Sequence, residues 1–227
     1  MHNLVQLLHL VDPTLPIGGF SHSAGLETYV QLGKVKDAES AKIFVYEMLT
    51  KNIHYTDAAF VSLAFNAANE KDIQALLQLD IACSAVKLPE EMRLASYKMG
   101  RRLLKIFQPL EKNELIESFQ NLVKSEEASG HYCVVFGLVA AVSGIEKLST
   151  LTGFYYNAAV GFVTNCVKLI PLSQQSGQEI LHGLSPTLSR LAEKNLIPDE
   201  NRIGLCCPGF DIKSMQHEAL YSRLYMS

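Results

Sequence analysis

Apolar residues recur at three- and four-residue intervals along almost the whole chain, and hardly any segment alternates with a period of two. That spacing puts apolar side chains on one side of a helix, whereas a half-buried strand needs alternation. Leu4, Leu7, Leu8 and Val11 form the first stripe. DAESAKIFVYEMLTKNI (37–53) places Ile43, Phe44, Met48, Leu49 and Ile53 on one broad face, with Asp37 in position to cap the helix. The stretch 56–86 reads as two helices broken around 69–71. LPEEMRLASYKMGRRLLKIF (88–107) sets Pro89 at a first helical position, followed by two acids that suit the positive end of the helix dipole. NELIESFQNLVKS (113–125) is short and amphipathic. Two apolar runs follow (131–145 and 154–170), then SQQSGQEILHGL (173–184), and Ser185-Pro186 reads as a further helix start. The expectation is an all-α, single-domain helical bundle of about nine or ten helices over 1–227. Residues 195–227 form a loop and a tail.

With 48% hydrophobic and 19% charged residues, the chain suits a folded body with large apolar faces. A net charge of −3 argues against nucleic acid as a partner, which calls for a basic face. The basic run KMGRRLLK (98–105) reads as a solvated helix face. Neither apolar run reads as a membrane span: the first is too short, and the second is interrupted by Asn157, Thr164, Asn165 and Lys168. The start, MHNLVQLLHLVDPTLP, carries no basic leader, so a cytoplasmic protein is expected. Cys83, Cys133, Cys166, Cys206 and Cys207 are odd in number and irregular in spacing, which is not a disulfide framework. Neighbours such as Cys206 and Cys207 do not readily face one metal, and no second Cys/His pair stands at zinc-like spacing. No metal site and no cofactor are expected.

Gly130, Gly137 and Gly144 stand seven apart, so on one helix they would drift slowly around one side. Glycine inside a soluble helix costs roughly 1 kcal/mol against alanine, so recurrence on one face points to close helix approach. That approach fits tight packing within one subunit or a dimer interface, for which these three glycines are the candidates.

No phosphate loop, nucleophile elbow or HExxH is present, and no catalytic residue is assigned. Glu126, Glu127 and His131 read as a helix end. In DPTLPIGGFSHSAGLETY (12–29) the prolines and paired glycines fix turns, and Ser21 or Ser23 can cap a helix beginning near Ala24. The segment reads as a rigid corner that presents Phe20 and Tyr29. A glycine–serine anion site is the other reading. The last eight residues hold Leu220, Tyr221, Leu224, Tyr225 and Met226, which is unusual for a chain end.

Three segments in this order, the 12–29 corner, VKLIPLSQQSGQ (167–178) and DIKSMQHEALYSRLYMS (211–227), resemble the urease accessory protein UreF family, over essentially the whole chain. The resemblance implies a chaperone without catalysis of its own. It would form a homodimer, bind the accessory protein UreD (also called UreH) and recruit the GTPase UreG, which carries nickel for insertion into apo-urease. The apolar tail then becomes a docking segment, with His217, Tyr221, Arg223, Leu224, Tyr225 and Met226 as partner contacts. Arg223 would pair near Tyr29. Lys168, Gln174 and Gln178 become candidate contacts for UreG. The family's terminal Phe-Met-Ser is Tyr225-Met226-Ser227 here. Two competing expectations are a small α-helical enzyme with its site at the 21–25 corner, and direct nickel binding through His217, His22 or Cys206-Cys207.

Overall fold

The computed structural model describes residues 2–19, 25–205 and 207–217. Among them are eleven α-helices and no strand. They are α1 (His2–Leu10), α2 (Leu26–Gln31), α3 (Ala38–Glu47), α4 (Asp57–Asn69), α5 (Ile73–Val86), α6 (Glu90–Glu111), α7 (Glu114–Lys124), α8 (Tyr132–Val142), α9 (Lys147–Leu169), α10 (Gln174–Lys194) and α11 (Pro208–His217). Local chemistry sets several of the boundaries. The Asp37 carboxylate accepts from the Ser40 N–H (2.9 Å), while Ser40 Oγ accepts from the Asp37 N–H (3.1 Å), a reciprocal cap on α3. Asp72, Asn113 and Ser173 each accept from a backbone N–H in the first turn of α5, α7 and α10. The break expected around 69–71 is present, with Lys71 left-handed at φ 56°. Beyond α3 the backbone continues as a π-helical turn over Met48–Ile53, which carries the apolar face onward to Ile53.

The helices share one apolar core, and α8 runs through its middle. Every residue from Tyr132 to Ala140 is buried. Helix α4 lies along α8, α6 packs on another side, and α9 pairs with α10. A Cβ on Gly137 would fall 2.5 Å from the Val61 carbonyl oxygen and 3.0 Å from the Ala64 Cβ, so α4 and α8 approach through that glycine.

The three spaced glycines do not line one helix face. Gly130 precedes α8, Gly144 follows it, and only Gly137 lies within it, where α4 of the same chain already occupies its face. The helix ends at both outer glycines because each is left-handed. Ser185-Pro186 does not start a helix either: α10 runs unbroken through Pro186. The ring removes one backbone bond on the exposed side, while Ile180, Leu184, Leu188 and Leu191 keep the opposite stripe buried. The expected loop after 195 contains a 3-10 turn at Glu200–Arg202 and then α11. The basic residues of the run, Lys98, Arg101, Arg102 and Lys105, are exposed on α6, while Gly100, Leu103 and Leu104 between them are buried.

Three polar clusters tie the helices together. Asp80 of α5 accepts from the backbone N–H groups of Ser129 (2.5 Å), Gly130 (3.1 Å) and His131 (2.7 Å), which pins the entry to α8. His131 lies buried between Ser84 and Ser96, each 3.0 Å from a ring nitrogen. Burial pushes its pKa down to about 3, so it is a neutral core residue at a helix start and has no bond to Glu126 or Glu127. Lys87, at the end of α5, donates to Asp57 of α4 at 2.8 Å, with both side chains nearly buried. The Tyr155 hydroxyl accepts from Asn195 Nδ2 (2.8 Å) and lies 2.8 Å from His54 Nδ1, which joins α9, the end of α10 and the π turn.

Candidate functional site

The corner and the C-terminal helix meet. Gly25 caps α2 in the left-handed region (φ 75°), with no side-chain cap. It is glycine for a second reason: a Cβ there would fall 2.7 Å from Ser214 Oγ and 3.3 Å from the Ser214 backbone N. Helix α11 therefore lies directly on the first turn of α2. Thr28 Oγ1 donates to the Lys213 carbonyl oxygen (3.0 Å), which fixes the register of that contact. Ser21 and Ser23, expected as caps, lie outside the described residues.

His217 ends α11 and is buried, with 1% of its side chain exposed. Its Nε2 lies 2.6 Å from Glu27 Oε2 of α2, and its Nδ1 lies 2.8 Å from Glu91 Oε2 of α6. One imidazole thus joins three helices through two carboxylates. Burial costs a polar side chain dearly unless its hydrogen bonds are made, so these two contacts are what permit a histidine here. Sequence reasoning singled out His217 but missed both partners. In the sequence Glu91 is only an acid in a first turn, and nothing local links Glu27 or Glu91 to a residue 190 or 126 positions away.

Tyr29 is half-buried on α2, its ring 5.3 Å from that of Phe44. Burial raises its phenol pKa, with the neighbouring Cys207 and Asp211 adding to the shift, so the hydroxyl stays protonated. Tyr29 lines a groove of about 500 Å³ whose walls include Val35, Phe44, Pro208 and Phe210. Next to the corner, a cavity of about 220 Å³ is walled by Met48, Met92, Met99, Phe154 and Phe162. Its polar lining includes the Asp57–Lys87 pair and Tyr132, whose buried hydroxyl has no hydrogen-bond partner among the described residues. Lys87 holds the Asp57 pKa below its ordinary value against the opposing effect of burial.

The candidate UreG contacts sit elsewhere on the surface. Lys168, in the last turn of α9, is exposed, and Gln174 and Gln178 are exposed one turn apart at the start of α10. The structure thus places these three around the 170–173 connection and His217 and Tyr29 at the corner. Phe20, Tyr221, Arg223, Leu224, Tyr225 and Met226 lie outside the described residues, as does any Arg223–Tyr29 pairing. For the nickel reading, both ring nitrogens of His217 are taken by carboxylates, and His22 and Cys206 lie outside the described residues. Among the described residues no cluster of three or more His, Cys, Asp or Glu is arranged to hold a metal ion, and no helix is long and apolar enough to cross a membrane.

The sequence profile of the UreF family matches residues 35–185. A urease accessory protein UreF of Actinobacillus pleuropneumoniae serotype 5b (strain L20) is 50% identical over 227 residues, the full length of both chains. The chain belongs to the UreF family of urease accessory proteins. A UreF of Haemophilus influenzae (strain PittEE) is 48% identical over 225 residues, 99% of this chain and 96% of its own. A more distant UreF, from Sporosarcina pasteurii, is 34% identical over 202 residues, 89% of this chain and all of its own. The profile spans α3 to the middle of α10. The relatives carry the UreF likeness on through the corner and α11, the two segments that the His217 contacts join.

Proposed function

We propose that this chain is a non-catalytic scaffold of urease maturation that binds UreD/UreH through its C-terminal residues and recruits the GTPase UreG for nickel insertion into apo-urease. It acts as a cytoplasmic homodimer. The observation that carries the reading is the buried seat of α11. A helix anchored at its last described residue leads straight into ten residues that include Tyr221, Arg223 and Tyr225, residue types in which binding energy concentrates. UreF membership supports the urease context. Co-expression with UreD/UreH and UreG, followed by sizing, tests it. The full chain should elute with both partners. A chain lacking residues 221–227, or carrying Arg223→Ala, should keep its helical signal and lose UreG. Recovery of all partners by the truncated chain would overturn the proposal.

The second reading, a small α-helical enzyme at the 21–25 corner, draws on the cavity beside it. Its ionisable pair is already mutually satisfied, which favours the scaffold reading. Turnover of a small substrate by the purified chain alone would reverse that preference.

A further inference from the structure

We propose that the cavity beside the corner is a binding site for a small, uncharged, mainly apolar molecule with one hydrogen-bond acceptor, which the Tyr132 hydroxyl holds. The proposal does not depend on the docking role assigned to the C-terminal residues.

Size and walls set the class of guest. The cavity measures about 220 Å³. A dry apolar cavity of about 150 Å³ already takes benzene, so a substituted single ring has room here. The walls come from separate elements: Met48 from the π turn, Met92 and Met99 from α6, Phe154 and Phe162 from α9, and Phe210 from α11. The phenylalanines offer ring faces and edges, and the thioethers adapt to an irregular outline. Gly161 of α9 also lines the space, and a Cβ there would meet no atom within 4 Å, so the helix leaves room at that point.

The polar groups of the wall narrow the choice. Lys87 and Asp57 hold each other at 2.8 Å. Asp12 accepts from the Thr14 N–H and hydroxyl, each at 2.7 Å, and burial raises the Asp211 carboxyl toward its neutral form. A charged guest would therefore give up its water with no dedicated counter-ion to receive it. Thr56 Oγ1 donates to the Asn52 carbonyl oxygen, Ser96 Oγ bonds to His131 and to the Tyr132 N–H, and Asn157 Nδ2 donates to the Val11 carbonyl oxygen. Of the buried side-chain polar atoms that have no hydrogen-bond partner among the described residues, only the Tyr132 hydroxyl belongs to a residue of this wall. Burial raises its pKa, with Cys133 and Asp57 adding to the shift, so the phenol keeps its proton and is a donor. A buried donor without a partner weakens the fold, and an acceptor on the guest would recover that loss.

The test is titration of the full chain with acetophenone, read by calorimetry and by the methyl resonances of the methionines. The Met48, Met92 and Met99 signals should shift together and saturate. Tyr132→Phe should weaken acetophenone about two- to tenfold, the size of one neutral hydrogen bond, and should not weaken ethylbenzene, which has no acceptor. Benzylamine, the cationic counterpart, should bind more weakly than acetophenone. Gly161→Leu fills the open space and suits a helix better than glycine, so it should keep the helical signal and lose both acetophenone and ethylbenzene. Absence of a saturable methionine shift in the wild type, or binding that survives Gly161→Leu, would overturn the site. Equal effects of Tyr132→Phe on acetophenone and ethylbenzene would overturn the role of the hydroxyl, and tighter binding of benzylamine would overturn the uncharged class.

Discussion

Replacing Lys87 with Met isolates the buried ion pair between α4 and α5. The ammonium lies 2.8 Å from Asp57 Oδ2, and the two side chains are 11% and 13% exposed. Thr56 Oγ1 donates to the same oxygen at 3.1 Å. Without Lys87, Asp57 becomes a buried carboxylate with one hydroxyl for support, and breaking such a pair costs about 3–5 kcal/mol. With a urea m-value of about 3 kcal/mol/M, the upper part of the usual range and suited to a chain of this size, the midpoint should fall by roughly 1–1.7 M. Asp57→Asn combined with Lys87→Met removes both charges, so most of that loss should return. The pH dependence has a definite sign. Lys87 lowers the Asp57 pKa below 3.8, so this part of the stability is present above about 3.8 and lost as pH falls through the folded-state value. The Lys87 pKa is raised above 10.5, chiefly by Asp57 acting against burial, so the contribution also disappears as pH rises beyond that value. In Lys87→Met burial raises the lone Asp57 carboxyl, so the wild-type advantage should grow as pH rises from about 4, level off once that carboxyl is ionised, and hold to about pH 10. A single variant costing less than about 1 kcal/mol, or a double variant as unstable as the sum of its singles, would refute the reasoning.

Two further outcomes can be measured in the same way. Gly137→Ala should force α4 and α8 apart at Val61 and Ala64 and cost about 1–3 kcal/mol, lowering the thermal midpoint by roughly 2–4 °C for each kcal/mol. A melt within 1 °C of wild type, or so, would show that the helices yield freely there. Tyr155→Phe should cost about 1–3 kcal/mol in denaturant titration, because it takes an acceptor from Asn195 and the partner from His54 Nδ1 in one step. An unchanged midpoint would mean that solvent replaces the hydroxyl.

The sequence carried the helices well wherever periodicity and a cap coincided. Asp37 precedes an apolar stripe and caps α3 through its carboxylate, and the 69–71 break combines Asn, Glu and Lys with a capping Asp72. Reading failed where a local signal was overruled by packing. Pro186 looks like a start, yet the buried stripe from Ile180 to Leu191 holds α10 together across it. Gly130 and Gly144 look periodic with Gly137 but serve the two ends of one helix. At the candidate site, Tyr29 and His217 were legible as residues of interest because they stand in unusual segments. Glu27 and Glu91 were not, since a pairing that spans most of the chain leaves no mark on its neighbours. The Asp57–Lys87 and Asp80 clusters were invisible for the same reason.

The burial of α8 on all sides has a consequence for how the protein comes into being. Its main neighbour, α4, ends at Asn69, whereas α8 ends at Val142, so about seventy residues must be translated before α4 gains its cover. At the usual 5–20 residues per second, the Phe60–Ala68 surface waits about 4–15 s beside a working ribosome. During that interval the apolar face of α4 that packs on α8 in the folded chain is uncovered, and slower translation between codons 70 and 142 would lengthen its exposure.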